Sequence, residues 1–326
     1  MKTFTIFLIF ICTVAAAAQK TYTVDDFSDR YFGKVYISEP DEVFSPGWIA
    51  IFDKRTKRQL IKVDSDQISH NLHDGKLVSN IKVLPYGEQS VILYEDYNFD
   101  GKKDLALMDG HHSCYYGPSF QIYLATNGGF RRSPEFTRLA QEYCGMFDVH
   151  PEEKKISTMT KSGCCWHEFS EFIVKGNKPV AVKIVEEDMW AGDFLLSVTE
   201  KNLVGGKFKA KEYFVFMPEE EAADVIFSFS FDNKKTLRLV DFRGTLHYVF
   251  TDKDDKVELR YADKFTYDKE KNILTFKNGR TTYEVSAAAI NVISPTVNSD
   301  MKAEQQTITG SLSKLASLKL DNVVSH

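Results

Sequence analysis

Short segments in which apolar and polar residues alternate recur along most of this chain. In the first half they include residues 31–37, 47–52, 59–63, 155–161 and 168–174. Alternation with a period of two places one set of side chains on each face of a strand. The pair Gly176-Asn177 separates two such segments as a tight turn. The pattern therefore predicts antiparallel strands joined by hairpins.

The second half of the chain repeats the pattern at intervals of about ten residues. Phe227, Phe229 and Phe231 alternate with serines, and Asn278-Gly279 is another turn pair. Glycines and Trp190 interrupt the pattern near residues 190–206. This change predicts two β domains, over 19–195 and 196–292, followed by a flexible tail over 293–326 that is rich in Ser, Thr, Lys and Asn.

One short helix is expected among the strands of the first half. Ser133 is suited to the N-cap and Pro134 to the first helical position. An apolar face for packing would follow at helical spacing, formed by Phe136, Leu139, Ala140 and Tyr143.

Residues 96–104 have the spacing of a calcium-binding loop. The predicted ligands occupy positions 1, 3, 5 and 9 with side chains and position 7 with a backbone carbonyl. They are Asp96, Asn98, Asp100, Asp104 and Lys102. Gly101 stands at position 6, where the backbone must turn sharply. An EF-hand would have Glu at position 12, but Leu107 is there and apolar strands flank the loop, which predicts a calcium turn between two strands. The alternative is an acidic turn that binds nothing.

The predicted fold class is mainly β. An antiparallel β-sandwich or β-barrel-like domain, with the calcium loop and one short helix, would precede a second antiparallel β domain. Aromatic residues make up 13% of the chain, which suits sheets that have one wet face.

The first 18 residues are interpreted as a signal peptide. Lys2 precedes an apolar run over 4–14, and four alanines, 15–18, provide a cleavage region. That run is too short to cross a membrane, and no other segment is long enough, so no membrane span is predicted. The formal net charge of −5 argues against nucleic acid and anionic membranes as partners. We expect a periplasmic or extracellular protein.

Four cysteines remain after the predicted signal peptide: Cys114, Cys144, Cys164 and Cys165. An even number in an exported chain predicts disulfides. Four cysteines allow three pairings. A bond between the adjacent Cys164 and Cys165 is possible, but the expectation is that each pairs with a distant partner. A zinc site that includes His167 is the less favoured alternative in an oxidising compartment.

The segment Ser162-Gly-Cys-Cys-Trp-His167 is predicted to form a loop between two strands. An exposed Trp is costly, so Trp166 either packs or binds a partner. Small Ser162 and Gly163 would allow close approach to a partner. A second aromatic loop contains Tyr115 and Tyr116. These six residues, Ser162, Gly163, Trp166, His167, Tyr115 and Tyr116, are the candidate partner-binding residues. Alternatively, the Trp caps the sheet and the cysteines only stabilise it.

Three motifs together resemble those of a family of exported bacterial calcium-loop β proteins. They are the Asp96–Asp104 loop, Tyr116-Gly-Pro-Ser-Phe and Ser162-Gly-Cys-Cys-Trp-His, within about residues 90–190. The family includes periplasmic lysozyme inhibitors and immunity proteins against peptidoglycan-degrading effectors of type IV secretion. The resemblance implies that a rigid loop starting with Ser-Gly, here Ser162 and Gly163, enters the active-site cleft of the enzyme. The inhibitors tend to have Tyr directly after Ser-Gly, whereas this chain has two cysteines and then Trp166.

We therefore expect a non-enzymatic, exported, calcium-binding cell-envelope protein that inhibits, or gives immunity to, a lysozyme-like peptidoglycan hydrolase. The chain lacks the G-x-S-x-G, phosphate-loop and H-E-x-x-H motifs. The alternative is a structural or carbohydrate-binding envelope protein in which the calcium loop only stabilises the fold.

Overall fold

The computed structural model describes residues 20–189, 191–217, 223–296 and 298–326. The predicted signal peptide lies outside these residues. The mainly β prediction is confirmed, and the one α-helix among the described residues is α1, Pro134–Glu142. The strands of the first half are β1 Lys20–Val24, β2 Tyr31–Ile37, β3 Ser45–Asp53, β4 Gln59–Ile68, β5 Ile92–Glu95, β6 Asp104–Gly110, β7 Ser119–Thr126, β8 Gly129–Arg132, β9 Asp148–His150, β10 Lys155–Ser162, β11 Trp166–Lys175 and β12 Lys178–Asp188.

The second half adds further strands and a few short 3-10 turns. The strands are β13 Leu195–Val204, β14 Lys207–Phe216, β15 Ala223–Ser230, β16 Thr236–Phe242, β17 Thr245–Thr251, β18 Val257–Tyr261, β19 Phe265–Asp268, β20 Ile273–Asn278, β21 Thr281–Val285, β22 Ala289–Ile293, β23 Asn298–Lys302, β24 Thr309–Gly310 and β25 Val323–Ser325.

Two compact units divide the chain, and each contains residues that are separated in sequence. Among the described residues, the first unit holds 20–160 and 169–182. The second unit holds 161–168 together with the described residues after 182. The sequence predicted a single change of domain near residue 195, whereas the chain enters the second unit at 161, returns to the first at 169 and leaves it at 183.

The first unit contains two four-stranded antiparallel sheets, in the orders β1-β2-β3-β4 and β5-β6-β7-β8. β6 is buried at all of its seven positions, because it lies between β5 and β7 in its sheet and runs close to β4 of the other sheet. Burying each large apolar side chain of such a strand stabilises the fold by about 1.5–3 kcal/mol. The loops at both ends of β6 are therefore attached to the most buried strand of the unit.

Helix α1 has the predicted start. Ser133 has extended backbone and its hydroxyl accepts the N–H of Phe136 at 3.4 Å, and Pro134 is the first helical residue. Phe136, Leu139 and Ala140 are buried as predicted. Tyr143 is the C-cap, and it contacts Phe172 edge-on at 6.1 Å between ring centroids. The helix packs on β7.

The second unit contains a five-stranded sheet, β18-β17-β16-β15-β24, and a six-stranded sheet, β23-β22-β21-β20-β19-β25. The predicted Phe227, Phe229 and Phe231 all point into its core, where neighbouring rings meet edge to face at 5.5 and 5.2 Å. A third group of strands is formed by residues 183–188 of β12 with β13 and β14. These pairs are antiparallel, while β19 and β25 run parallel.

The segment 293–326 differs from the predicted flexible tail. It supplies β23, β24 and β25, and it buries three leucines, Leu312, Leu315 and Leu320. Gly310 has a φ of 71°, and a Cβ there would lie 2.1 Å from the carbonyl oxygen of Ile226. The segment was predicted to be flexible because its composition is polar. Its few leucines are nevertheless buried, and they are enough to fix it to the core.

Candidate functional site

The predicted calcium loop is the turn between β5 and β6. Phe99 and Gly101 have left-handed backbone, with φ of 60° and 85°, and they fold the chain back sharply. Asp96 accepts the N–H of Gly101 at 2.8 Å and the N–H of Asp100 at 3.2 Å. Asn98 Oδ1 also accepts the Asp100 N–H, at 3.2 Å. The side-chain oxygens therefore gather around the backbone of one tight turn.

Asp104 is the innermost residue of this loop, with no exposed surface. Its two carboxyl oxygens accept the N–H of Ala125 at 2.7 Å and the N–H of Tyr97 at 2.9 Å. Burial raises the pKa of Asp104 to about 7, although those two hydrogen bonds act in the opposite direction. The negative charges of Asp96 and Asp100 raise it further. The three carboxyl groups thus share one electrostatic environment, which a cation would relieve.

The chemistry of the donors suits a hard cation, since Ca²⁺ prefers oxygen ligands and all five predicted donors are oxygens. The Lys102 ammonium donates to Asn127 at 3.0 Å, so its charge is engaged outside the loop. Across the four described ranges, no group of three or more His, Cys, Asp and Glu side chains is arranged to hold a metal. Two of the predicted donors, the Asn98 side chain and the Lys102 backbone carbonyl, do not belong to those four side-chain types. Calcium binding here stays a prediction.

The predicted partner-binding loop is a tight turn between β10 and β11. β10 ends at Ser162 and β11 begins at Trp166, so three residues connect the strands. Ser162, Gly163 and Cys164 are exposed. Gly163 has a φ of 66°, and no atom lies within 4 Å of the position that a Cβ would take. Trp166 and His167 are half-buried at the start of β11, so the Trp lies at the base of the turn.

Disulfides are confirmed, but the favoured pairing, in which Cys164 and Cys165 each join a distant cysteine, was wrong. Cys114 pairs with Cys144, with their Cα atoms 4.7 Å apart, and Cys164 pairs with its neighbour Cys165. Once Cys114 and Cys144 have joined, Cys164 and Cys165 are the two cysteines left to pair among the described residues. The Cys165 carbonyl also accepts the N–H of Met189 at 2.9 Å. The turn is therefore closed covalently within itself and attached at its second cysteine.

The second predicted loop carries two exposed tyrosines in an unusual backbone conformation. Tyr115 and Tyr116 have φ of 54° and 58°, and they are 56% and 81% exposed. A side chain other than glycine costs about 1–2 kcal/mol in this left-handed region. Tyr115 and Tyr116 lie in the first unit, whereas Ser162–His167 belongs to the second. The six predicted residues are therefore divided between the two units.

Buried polar groups hold the tyrosine loop in place. His111 is only 7% exposed, and its Nδ1 donates to the Tyr116 carbonyl at 2.7 Å, because a carbonyl can only accept. Its Nε2 then accepts the hydroxyl of Ser69 at 2.8 Å. Burial lowers the pKa of His111, which favours this neutral form. The disulfide of Cys114 and the hydrogen bond from Gly145 N–H to Ser113 fix the base of the loop.

A third exposed segment next to this loop did not enter the sequence prediction. Residues 39–44, between β2 and β3, combine three acids with Val43 and Phe44, which are 72% and 50% exposed. The Phe44 ring meets the His111 ring edge-on, with centroids 4.7 Å apart. A run of acids followed directly by two apolar residues outside any alternating segment was the signal available in the sequence.

No helix within the described ranges is long and apolar enough to cross a membrane.

Comparison with known proteins gives only distant likenesses. No family model matches the chain, and no curated protein matches it. A type IV secretion system related protein from Xanthomonas matches over 60% of this chain and 94% of its own, with 17% identity and a TM-score of 0.45. Prolyl oligopeptidase B from Galerina marginata covers 89% of this chain and 41% of its own, at 10% identity and a TM-score of 0.25. TolB from Acinetobacter baumannii covers 87% of this chain and 66% of its own, at 11% identity and a TM-score of 0.21. All three TM-scores are below 0.5, so these likenesses assign no function.

Proposed function

We propose that this chain is an exported, calcium-stabilised protein without enzymatic activity that blocks a lysozyme-like peptidoglycan hydrolase. The observation that carries the proposal is the turn between β10 and β11. Its exposed residues, Ser162, Gly163 and Cys164, form a narrow tip that a disulfide closes within itself. A tip that is rigid before binding loses little conformational entropy when it enters a cleft.

The chemistry of the tip is complementary to the cleft of such an enzyme. Glycoside hydrolases of this kind use two carboxyl groups, one as an acid and the other as a nucleophile or base. The exposed Ser162 hydroxyl is a donor that can reach those carboxylates and exclude the sugar. Hydrogen bonds to charged partners are worth about 1.5–3 kcal/mol. Trp166 is half-buried at the base of the turn, and an aromatic side chain next to a contact is a common hot spot.

Calcium has an indirect role in this proposal. The loop 96–104 joins β5 to the buried strand β6, so a bound ion would stabilise the first unit through that strand. The exposed tip belongs to the second unit. Calcium is therefore expected to affect the stability of the protein more than its contact with the hydrolase.

The experiment measures hydrolysis of a peptidoglycan suspension by a lysozyme-like enzyme, followed by turbidity, with increasing amounts of the full chain. We expect inhibition at micromolar concentration. Ser162→Ala and Trp166→Ala should each weaken it by about 2 kcal/mol, which is about 30-fold in the inhibition constant. Lys207→Ala, at the exposed start of β14 in the same unit, is the matched control and should leave inhibition unchanged.

Absence of inhibition at micromolar concentration would reject the hydrolase proposal. Inhibition that neither Ser162→Ala nor Trp166→Ala reduces would place the contact outside this turn. Sedimentation of the protein with peptidoglycan, without any effect on the hydrolase, would instead support the carbohydrate-binding alternative. The net charge of −5 should speed the approach to a basic enzyme, and added salt should reduce that contribution.

A further inference from the structure

We propose that the first unit has a second binding surface, which recognises a cationic protein segment that presents an Arg or Lys side chain. The surface, which we call the acidic–aromatic surface, consists of Glu39, Asp41, Glu42, Phe44 and Tyr116. Its residues and its partner chemistry are independent of the hydrolase-binding turn, so either proposal can fail without the other.

The aromatic members of this surface are held together through one buried side chain. His111 contacts the Phe44 ring at 4.7 Å between centroids, and its Nδ1 donates to the Tyr116 carbonyl at 2.7 Å. Phe44 is 50% exposed and Tyr116 is 81% exposed. Two exposed aromatic residues are thus linked to one buried imidazole, Phe44 through its ring and Tyr116 through its backbone carbonyl.

The acidic members come from a short loop that is fixed at its ends. Ser45 is fully buried, and its hydroxyl accepts the N–H of Glu39 at 2.8 Å. The Glu42 N–H donates to the Glu39 carbonyl at 3.1 Å, which closes a tight turn within the loop. Glu39, Asp41 and Glu42 are all exposed, and none forms an ion pair with another described residue. Three negative charges therefore adjoin the aromatic pair without a cation of their own.

Negative charge also continues beside the loop. Asp66 is 64% exposed at its side chain and lies 3.5 Å from His112, the residue after His111. Asp66 therefore adds a further carboxylate beside the residues that hold the tyrosine loop.

This combination defines the chemistry of the partner. A guanidinium or ammonium group binds over the face of an aromatic ring, and carboxylates hold it by charge-assisted hydrogen bonds. Arg serves both purposes best, because its flat guanidinium can stack and pair at once. Anionic membranes are repelled by the three carboxylates, and a neutral glycan would make no use of them.

The loops are prepared for binding before a partner arrives. The left-handed backbone of Tyr115 and Tyr116 is maintained by the Cys114 disulfide and by His111. Strained backbone of this kind concentrates at binding and catalytic sites, where the surrounding structure holds it. A loop backbone that is already fixed loses less conformational entropy on binding than a mobile one.

The experiment titrates the full chain with three blocked peptides in a Gly-Ser frame that contain two Arg, two citrulline or two Glu residues. Binding is measured by calorimetry at low and high salt. We expect the Arg peptide to bind at least tenfold more tightly than the citrulline peptide, because citrulline keeps the shape and loses the charge. The Glu peptide should not bind. Salt should weaken the Arg complex.

Variants then localise the binding. The triple change E39Q/D41N/E42Q should weaken the Arg peptide at least tenfold, and Tyr116→Ala at least fivefold. Phe44→Leu retains an apolar side chain but removes the π face, so it should also weaken binding. Phe208→Ala is the matched control, since Phe208 is 43% exposed but lies between Lys207 and Lys209, and it should have no effect.

Three results with the peptides would overturn the proposal. They are equal binding of the Arg and citrulline peptides, an unchanged affinity in the triple variant, and no binding of the Arg peptide at millimolar concentration. Binding of a chitin oligosaccharide that Phe44→Leu and Tyr116→Ala abolish but the triple variant leaves intact would also overturn it. That result would assign the same aromatic residues to a neutral glycan.

Discussion

Replacing His111 by alanine tests whether this buried imidazole maintains the tyrosine loop. The change removes the hydrogen bond to the Tyr116 carbonyl at 2.7 Å and the one from Ser69 at 2.8 Å. Each is worth about 1 kcal/mol net. It also removes the edge-on contact with Phe44, worth about 0.5–1.5 kcal/mol. The first unit should therefore lose about 3 kcal/mol of unfolding free energy.

The adjacent His112 provides the control. Its side chain is 50% exposed and its contact with Asp66 is 3.5 Å long, so His112→Ala should change the unfolding free energy by less than about 0.5 kcal/mol. The two units can unfold separately, so a single melting curve is not sufficient. Hydrogen exchange of backbone amides in residues 104–126, followed by mass spectrometry in increasing urea, reports on the first unit alone.

The result that refutes this reasoning is specific. If His111→Ala is as stable as the unmodified chain, the left-handed backbone of Tyr115 and Tyr116 does not depend on the imidazole. If His112→Ala is equally destabilising, the effect belongs to the region as a whole and not to the two hydrogen bonds of His111.

Three further changes have outcomes that the structure fixes. A calcium concentration of about 100 times Kd should stabilise the chain by about 2.7 kcal/mol relative to chelator. Asp100→Ala should abolish this gain, whereas Lys102→Ala, which keeps its backbone carbonyl, should not. A melting temperature that chelator does not change would count against the site. Burial lowers the pKa of His247 to about 4, so unfolded chains take up a proton between about pH 6.5 and 4 that folded ones do not. The unfolding free energy of the second unit, measured by urea titration, should therefore fall by up to about 3 kcal/mol as the pH is lowered over that range. His247→Gln should remove this dependence on pH. Leu315 is 1% exposed and Leu318 is 38% exposed; Leu315→Ala should cost about 2–5 kcal/mol, Leu318→Ala much less, and equal costs would show that 293–326 is not packed as described.

Local features of the fold could be predicted because each depends on a few neighbouring residues. Ser133 and Pro134 start a helix wherever the following residues have helical spacing, and they do so here. Gly176 and Asn177 have φ of 56° and 59°, as the predicted two-residue turn requires. The alternating phenylalanines of β15 report a sheet with one buried face without reference to any other strand.

Features that depend on distant residues were beyond such reasoning. Cys114 and Cys144 are 30 residues apart, and nothing near either one identifies the other. The contact of Phe44 with His111 joins two loops that the alternating pattern leaves undescribed. For the candidate site, the spacing of Asp96 to Asp104 predicted the turn between β5 and β6 and the side-chain oxygens that gather around its backbone. The base position of Trp166, by contrast, depends on where β11 begins.

The two-residue strand β24 has a kinetic consequence. It pairs with β15, and the hydroxyls of Ser228 and Thr309 meet at 2.7 Å although 81 residues separate them in sequence. Pairing β24 with β15 closes a long loop, and the chain loses that conformational entropy before the contact stabilises it, so the pairing forms slowly. The consecutive hairpins β15 to β18 need only short loops. We expect the hairpins to form in the transition state and β24 to dock after it. A substitution at Thr309 that removes its hydrogen bond to Ser228 should then shorten the lifetime of the folded second unit and leave its refolding rate almost unchanged.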